Sequence, residues 1–394
     1  MEYLSARVQR IKPSPTLSLS VRVNQLKAEG HDIINLGVGE PDFDTPDFIK
    51  EAGIQATRDG FTKYTAVDGI MSLKKAIAHK FERENGLTYE PKQILVSCGS
   101  KQAIYNLAQA LLNEGDEVII PAPYWVSYPD IILLAGGIPV CVSTPFDQHF
   151  KITPAQLEAA ITPKTRLLIL NSPNNPSGMI YSHAELQALA EVLLRHPHVF
   201  IASDDMYEHI QWTGSRFSNI VNACPALSQR TMVFNGVSKS YAMTGWRIGY
   251  AAGPAYLIQA MSNVQAQSTS SPNAMAQVAA EAPLNGPQTC IHDMQKAYHE
   301  RGAAAAHGFK AIPGVKCTPA EGSFYIFPDL SAFIGEIPGV TNDLQLAEYL
   351  LMEAKVALIP GSAFGTPGCI RLSFASSLHS INEAMRRIQH ALKR

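Results

Sequence analysis

Two patterns alternate through the middle of this chain, and few folds accommodate both. Short β-rich apolar runs occur at Ile94–Ser97, Glu117–Pro121, Ile138–Ser143, Leu167–Asn171, Val199–Asp204, Met232–Asn235 and Ile248–Ala252. Between several of them lie stretches with apolar residues at three- and four-residue spacing, as in Gln102–Asn113 and His183–Arg195. The runs suit strands and the spaced stretches suit amphipathic helices. Strand, helix, strand, repeated, predicts an α/β fold with a mostly parallel sheet covered on both faces. The seven runs make one large domain over residues 46–285.

The remainder has a different rhythm. Residues 291–311 read as a long, Ala-rich helix. Short strand-like runs follow at Ser323–Pro328, Ala357–Pro360 and Ile370–Phe374, with a helix at Leu344–Ala354 and a last one from Ser380. This predicts a smaller α+β domain built from residues 286–394 and completed by residues 1–45, which are too few to fold alone. That N-terminal segment packs either on the C-terminal unit or on a neighbouring subunit.

Composition removes several function classes. Apolar residues make up 46 % of the 394 residues, which excludes whole-chain disorder. The net charge of -2 offers no broad attraction to nucleic acid or acidic lipid. No run of about 18 apolar residues exists to span a membrane, and Met1–Pro15 lacks a secretory pattern. The six cysteines show no CxxC spacing, so buried reduced thiols, no metal site and a cytoplasmic location are expected. Charged residues are only 17 %, which fits a surface partly hidden in an oligomer.

Ligands of parallel α/β sheets bind beyond the carboxyl ends of the strands. Three such ends carry polar residues here. Asn171-Ser172-Pro173-Asn174-Asn175-Pro176-Ser177-Gly178 follows one strand; taken alone it is a plain turn. Asp204, Asp205 and Tyr207 end another, and adjacent buried carboxylates are costly unless paired. Gly236-Val237-Ser238-Lys239-Ser240 ends a third, with Arg247 eight residues beyond the lysine. A lysine in such an apolar, aromatic segment is placed to lose its proton and act as a nucleophile. Ser97-Cys98-Gly99-Ser100-Lys101 precedes a helix, whose N-terminus suits a phosphate. A lysine for a carbonyl, a cradle for an anion and a carboxylate for a ring nitrogen together describe a pyridoxal phosphate site.

With these residues in place the chain resembles the class I aminotransferases, pyridoxal phosphate enzymes of fold type I. Within them it is most similar to the bacterial aspartate aminotransferases of the beta or gamma subgroup. The resemblance runs from Lys12 to the C-terminus. Its motifs are Gly39-Glu40-Pro41-Asp42-Phe43-Asp44-Thr45-Pro46, Pro123-Tyr124-Trp125-Val126-Ser127-Tyr128-Pro129, Asn171–Gly178 and Ser238 through Gly249. It implies that Lys239 binds the cofactor as a Schiff base and shuttles the substrate's Cα proton. Asp204 faces the pyridine nitrogen, Tyr207 and Asn175 hold the ring's 3′-oxygen, and Trp125 stacks on the ring. Gly99, Ser100, Lys101, Ser238 and Arg247 cradle the phosphate. Tyr64 reaches the phosphate of a neighbouring subunit, which makes the active unit a homodimer with shared sites.

The resemblance also implies that Arg371 grips the substrate α-carboxylate, with Gly39 and Asn175 beside it. By pattern alone Arg371 is an arginine on an edge strand. Lys101 and Thr16 match residues that read a distal carboxylate, which points to aspartate and 2-oxoglutarate as substrates in a ping-pong reaction. Lys12, Thr16 and Lys101 also occur together in relatives that resemble prephenate aminotransferases, so a dual activity stays open, as does an aromatic substrate. Two departures stand out: Gly236 replaces a common serine, and Asp205 a common glutamate. A catalytically dead regulatory protein, or an eliminase or decarboxylase with the same cofactor, are the rival classes.

Overall fold

The computed structural model describes residues 3–393. In chain order its strands are β1 (Ile34–Asn35), β2 (Ile94–Ser97), β3 (Glu117–Ala122), β4 (Ile138–Ser143), β5 (Thr165–Asn171), β6 (Phe200–Asp204), β7 (Thr231–Gly236), β8 (Gly249–Ala252), β9 (Tyr325–Ile326), β10 (Val356–Ala357), β11 (Ile359–Pro360) and β12 (Ile370–Ser373). A seven-stranded sheet has the order β2-β8-β7-β6-β5-β3-β4. Its neighbours are parallel except at β8, which runs antiparallel to both β2 and β7. The expected α/β sheet is thus present.

Helices cover both faces because the central strands have apolar side chains on both. One buried cluster joins Val96, Leu168, Ile201 and Val233 to Leu186, Leu189 and Leu193 of the helix His183–Arg195. The other face joins Leu95, Val118, Ile169 and Phe234 to Ile104 and Leu107 of the helix Ser100–Leu111. Ser182 starts the first helix with a capping box, its hydroxyl and the Glu185 side chain each satisfying the other's backbone amide.

A second core lies among Met294, Phe309, Phe324, Ile326, Leu346, Ile370, Leu372 and Ile388. It surrounds the antiparallel sheet β11-β12-β9. The N-terminal segment joins this side of the molecule: β1 pairs in parallel with β10. Val23, Leu26 and Ile33 pack there against Leu351 and Ala357. Of the two expected resting places for this segment, the C-terminal unit is therefore one that it occupies.

Several expectations need correction. The cysteines are free, but only Cys369 is buried, and Cys141 is exposed. Cys141 lies on β4, the last strand of its sheet, whose residues are all exposed or half-buried. An edge strand has no neighbour to cover its far side, so an apolar run there does not imply burial. The strand expected over Ser323–Pro328 shrinks to Tyr325–Ile326. The helix expected to end at Ala354 turns from α to π geometry after Tyr349. Arg371, an edge-strand residue on pattern alone, lies on the central strand of its three-stranded sheet and is 2 % exposed.

Candidate active site

Register brings the polar strand ends to one level. Asn171 of β5 pairs with Asp204 of β6, and Asp204 with Phe234 of β7. β8 is antiparallel, so its first residue, Gly249, lies at the same edge beside Gly236 and Ser97. That reversal places Arg247, two residues earlier, among the carboxyl ends of the parallel strands. Beyond this edge lies a cavity of about 310 Å³, bounded on the far side by Thr16, Gly39, Tyr325 and Arg371.

One end of the cavity is built for an anion. Ser100, Lys101, Ser238 and Arg247 line it, at the N-terminus of the 12-residue helix Ser100–Leu111. Helix N-termini present unsatisfied amides and a positive dipole end. The Ser100 hydroxyl is buried and has no hydrogen-bond partner among the described residues. The turn before it needs glycine twice. Gly99 has φ +87°, and any Cβ there would lie 2.5 Å from an Arg247 nitrogen. A Cβ on Gly249 would meet the Ser100 amide nitrogen at 2.2 Å, so β8 can approach the turn only as glycine. At Gly236 a Cβ would come within 3.0 Å of the Gly249 Cα and 3.1 Å of Met206. A serine hydroxyl at that position therefore has little room.

The opposite charge sits at the centre. Asp204 is buried, and no cation bridges it among the described residues. Its anion is held instead by neutral donors: the Tyr128 hydroxyl at 2.5 Å and the Met206 amide at 3.3 Å. Burial pushes its carboxyl up to about 6, and these two hydrogen bonds oppose the rise. Asp205 rises to about 7, again by burial, although the Asn219 amide and Ser203 hydroxyl hold it.

A pH test follows. The folded chain favours protonated Asp204 relative to the unfolded chain, so this group's contribution to stability falls as pH rises from about 4 through 6. Tyr128→Phe removes a donor that stabilises chiefly the anion, at a cost of about 1.5–3 kcal/mol. Thermal melts of the cofactor-free protein should show a deficit in the variant that grows between pH 5 and 8. A deficit independent of pH would mean that Tyr128 does not hold the anion.

Lys239 lines the cavity, with its Nζ hydrogen-bonded to the Gly39 carbonyl. Burial pulls its ammonium down to about 8; Glu40 opposes this, while Arg371, Arg247 and Lys101 add to it. Arg371 donates to Asn175 Oδ1 at 2.9 Å and to the Gly37 carbonyl at 2.7 Å. The Tyr325 and Phe364 rings lie 4.4 and 4.9 Å from its guanidinium carbon. Its Nε is buried with no partner among the described residues. Asn175 is held in turn by Asn171, whose side chain also donates to the Asp204 carbonyl. Tyr207 and Tyr325 share a hydroxyl contact of 3.0 Å, and burial keeps the Tyr207 phenol well above its ordinary range. Lys101 Nζ lies 4.9 Å from the Trp125 ring centre.

Thr16, Gly39, Ser100, Lys101, Trp125, Asn175, Asp204, Tyr207, Ser238, Lys239, Arg247 and Arg371 all border this one cavity. Gly99 supports it from behind Arg247. Lys12 and Tyr64 do not border it; Lys12 is exposed and Tyr64 is 93 % exposed. Lys12 lies in the link between the helices Ala6–Arg10 and Pro15–Ala28. Sequence reasoning missed Tyr128, Asn171 and Tyr325. Tyr128 and Asn171 lay inside quoted motifs, but only the fold shows which way their side chains turn.

Fold and site together define an aminotransferase, and comparison with known proteins agrees. The sequence pattern of the family described as Aminotransferase class I and II matches residues 31–388, and the chain belongs to that family. Among curated relatives, an aspartate/prephenate aminotransferase of Nitrosomonas europaea is 56 % identical over 394 residues, covering 99 % of each chain. An aspartate aminotransferase of Geobacillus stearothermophilus is 48 % identical, again over 99 % of each. The crystal structure of the Rhizobium meliloti aspartate aminotransferase matches with a TM-score of 0.96, 47 % identity and 99 % of each chain. That of the Thermus thermophilus aspartate aminotransferase with maleate matches at 0.92, with 41 % identity over the whole of both chains.

Proposed function

We propose that this aminotransferase uses pyridoxal 5′-phosphate and acts on acidic substrates: aspartate and glutamate, with oxaloacetate and 2-oxoglutarate as the keto partners. The observation that carries the reading is one cavity holding Lys239, the buried carboxylate Asp204, an anion cradle with an unpaired Ser100 hydroxyl, and Arg371. These residues fit the cofactor. When bound, it supplies a carbonyl for the amino group and a ring that accepts electrons from Cα. The backbone of Gly99–Lys101, the Ser100 hydroxyl, Ser238 and Arg247 would hold its phosphate, Trp125 its ring, and Tyr207 and Asn175 its phenolic oxygen. Asp204 would keep a proton on its ring nitrogen.

Lys239 would hold the cofactor through its Nζ. The same Nζ would move the proton at the substrate's Cα, as base and then as acid. Positioned proton transfer of this kind is worth roughly 10²–10⁴-fold. Arg371 takes the α-carboxylate, its unpaired Nε being a donor still to be satisfied. The Gly39 backbone helps to close that end.

Lys101 and Thr16 read the distal carboxylate on this proposal. They border the cavity together with Arg371, so it offers cations for both ends of a dicarboxylate. The Thermus thermophilus relative solved with maleate, itself a dicarboxylate, supports this. Lys101→Ala should lower kcat/KM for aspartate by about 10- to 100-fold, as loss of a charge-assisted hydrogen bond predicts, while phenylalanine turnover changes little. Equal losses on both substrates would remove the assignment.

Prephenate also carries a second carboxylate, and the Nitrosomonas europaea relative is named for both activities. A panel of half-reactions with aspartate, glutamate, phenylalanine and arogenate decides between a dual and an aspartate-only enzyme, because kcat/KM ratios report differential transition-state binding.

The proposal extends to the assembly. Tyr64, exposed and outside its own chain's cavity, serves the phosphate of a neighbouring copy in a homodimer. On this proposal the chain divides into a large unit, residues 46–285, around the seven-stranded sheet, and a small unit of residues 1–45 and 286–394, whose core also takes in Met206, Tyr207, Ile210 and Ala242 of the large unit. Free cysteines, and no helix among the described residues long and apolar enough to cross a membrane, support a cytoplasmic location.

A further inference from the structure

Behind the cavity wall lies a chain of buried and half-buried polar side chains whose two ends meet the segment 236–240. Lys80 ends the helix Met71–Lys80 and is wholly buried. Its ammonium donates to Glu208 Oε1 and, at 2.9 Å, to Asn85 Oδ1. Glu208 Oε1 also accepts from the Asn235 side chain at 2.9 Å, and Oε2 from Asn85 at 2.7 Å. Asn235 in turn accepts from the Gly236 amide at 2.7 Å. From the other direction Lys80 lies 3.7 Å from Glu84, and Glu84 accepts from His209 Nε2 at 2.8 Å. His209 Nδ1 meets the Ser240 hydroxyl at 2.9 Å.

This network therefore grips the segment 236–240 at both ends, and Lys239 lies between the grips. Its other side is the segment Tyr207–His209, in which Tyr207 borders the cavity while Glu208 and His209 do not. Burial holds His209 below its ordinary range, which favours the neutral ring. With Nε2–H given to Glu84, Nδ1 accepts the Ser240 proton and orients that hydroxyl.

Stability alone is a weak reason for such a network. Buried ion pairs are often replaceable by apolar residues at no cost. A well-satisfied polar network does, however, specify one arrangement of the backbone it touches. None of Lys80, Glu84, Glu208, His209 and Asn235 borders the cavity, so they do not act on the substrate directly.

We propose that Lys80, Glu208, Asn235, His209 and Ser240 are positioning residues for Lys239: the network fixes both ends of its turn and so keeps Nζ at one place in the cavity. This rests on the reading of Lys239 as the cofactor-binding lysine. The charged groups facing Lys239 are Glu40, Arg371, Arg247 and Lys101. Those facing Lys80 are Glu84, Arg83, Asp205, Glu208 and His209. The test leaves the first set untouched.

The experiment uses the protein loaded with pyridoxal 5′-phosphate and reads three quantities: the pH midpoint of its visible absorbance band, kcat with KM, and the melting temperature. Ser240→Ala cuts one grip and leaves every charge in place. Its midpoint should move by about half a unit or more, since a pKa reports local electrostatics and hydrogen bonding. Its kcat should fall roughly tenfold or more, as for a catalytic group displaced by a fraction of an ångström. KM for aspartate should stay within about twofold, because Arg371 is unaffected. Ser240→Thr, which keeps a hydroxyl, should restore both.

Lys80→Met with Glu208→Gln removes the ion pair while keeping an acceptor for Asn235, and should show the same signature. If that double variant does not fold, Ser240→Ala decides alone. Parent-like midpoint and kcat with only a lower melting temperature would make the network structural and overturn the proposal. A parent protein without a titrating visible band would instead overturn the cofactor reading, and this proposal with it.

Discussion

Lys239→Ala should abolish transamination and the visible band of the loaded protein while leaving the fold intact. On the proposed reading the amine does two things, bonding covalently to the cofactor and carrying the Cα proton, and alanine can do neither. The proton transfer alone is worth roughly 10²–10⁴-fold, and losing the covalent attachment adds to it. An ordinary lysine, with a pKa near 10.4, is almost wholly charged at neutral pH and is no nucleophile. Burial, with Arg371, Arg247 and Lys101 adding to it, brings Lys239 down to about 8 and raises the fraction of neutral amine. The same burial means that the folded chain carries the cost of a desolvated cation. Removing it should leave the cofactor-free melting temperature unchanged or raised. Single-turnover assays with aspartate check the first part and thermal melts the second. Residual turnover above about 1 % of the parent would show that another group moves the proton, since it falls at the weak end of general acid–base effects.

Arg371→Lys should lower kcat/KM for amino acid and oxo acid together, without altering the cofactor's absorbance. The substitution keeps the charge and removes the fork. Arg371 spends one terminal nitrogen on Asn175 and the other on the Gly37 carbonyl, both within the protein. A lysine cannot make these two bonds and also offer paired donors to a planar carboxylate. Breaking a buried charge-assisted pair costs about 2–5 kcal/mol, which is about 30-fold to about 5,000-fold in kcat/KM. The loss should fall alike on aspartate, glutamate and phenylalanine, because each carries the same α-carboxylate. A loss confined to the acidic pair would transfer the α-carboxylate to another residue and give Arg371 the distal one.

Much of the large sheet was readable. The runs at Ile94–Ser97 and Ile138–Ser143 coincide with β2 and β4, and His183–Arg195 with its helix. These elements announce themselves because each carries its own periodicity and its own caps. β9 was overread for the opposite reason. Ser323–Pro328 looks like a strand, but only Tyr325 and Ile326 form ladder pairs with β12; Phe324 and Pro328 each accept one backbone hydrogen bond, from Phe374 and Ile370. Pairing depends on a neighbour remote in sequence, and apolar character alone does not supply one. The exposure of Cys141 was missed in the same way, since being an edge strand is a property of the sheet and not of the strand.

The site divides along the same line. Its anchor residues stand at strand ends that local pattern locates: Lys101, Asn175, Asp204, Tyr207 and Lys239. Arg371 did not stand out by pattern, because what distinguishes it is the Tyr325 and Phe364 rings around it and Asn175 in front. Tyr128 escaped notice because its function is a single hydrogen bond across 76 positions of sequence to Asp204.

The alternating middle of the chain, then, determined by itself the class of fold and the edge of the sheet where chemistry collects. Local periodicity and chain direction are enough for that, since parallel strands joined by helices put every carboxyl end on one side. Which residues meet there was decided only in three dimensions. The reversal of β8 brings Arg247 to Gly99, the β1–β10 pairing carries Thr16 and Gly39 over the cavity, and Lys80 reaches the Lys239 turn through Glu208. Each of these contacts joins segments far apart along the chain. Their favourable energy appears only when two surfaces exclude water together, and no local pattern records that.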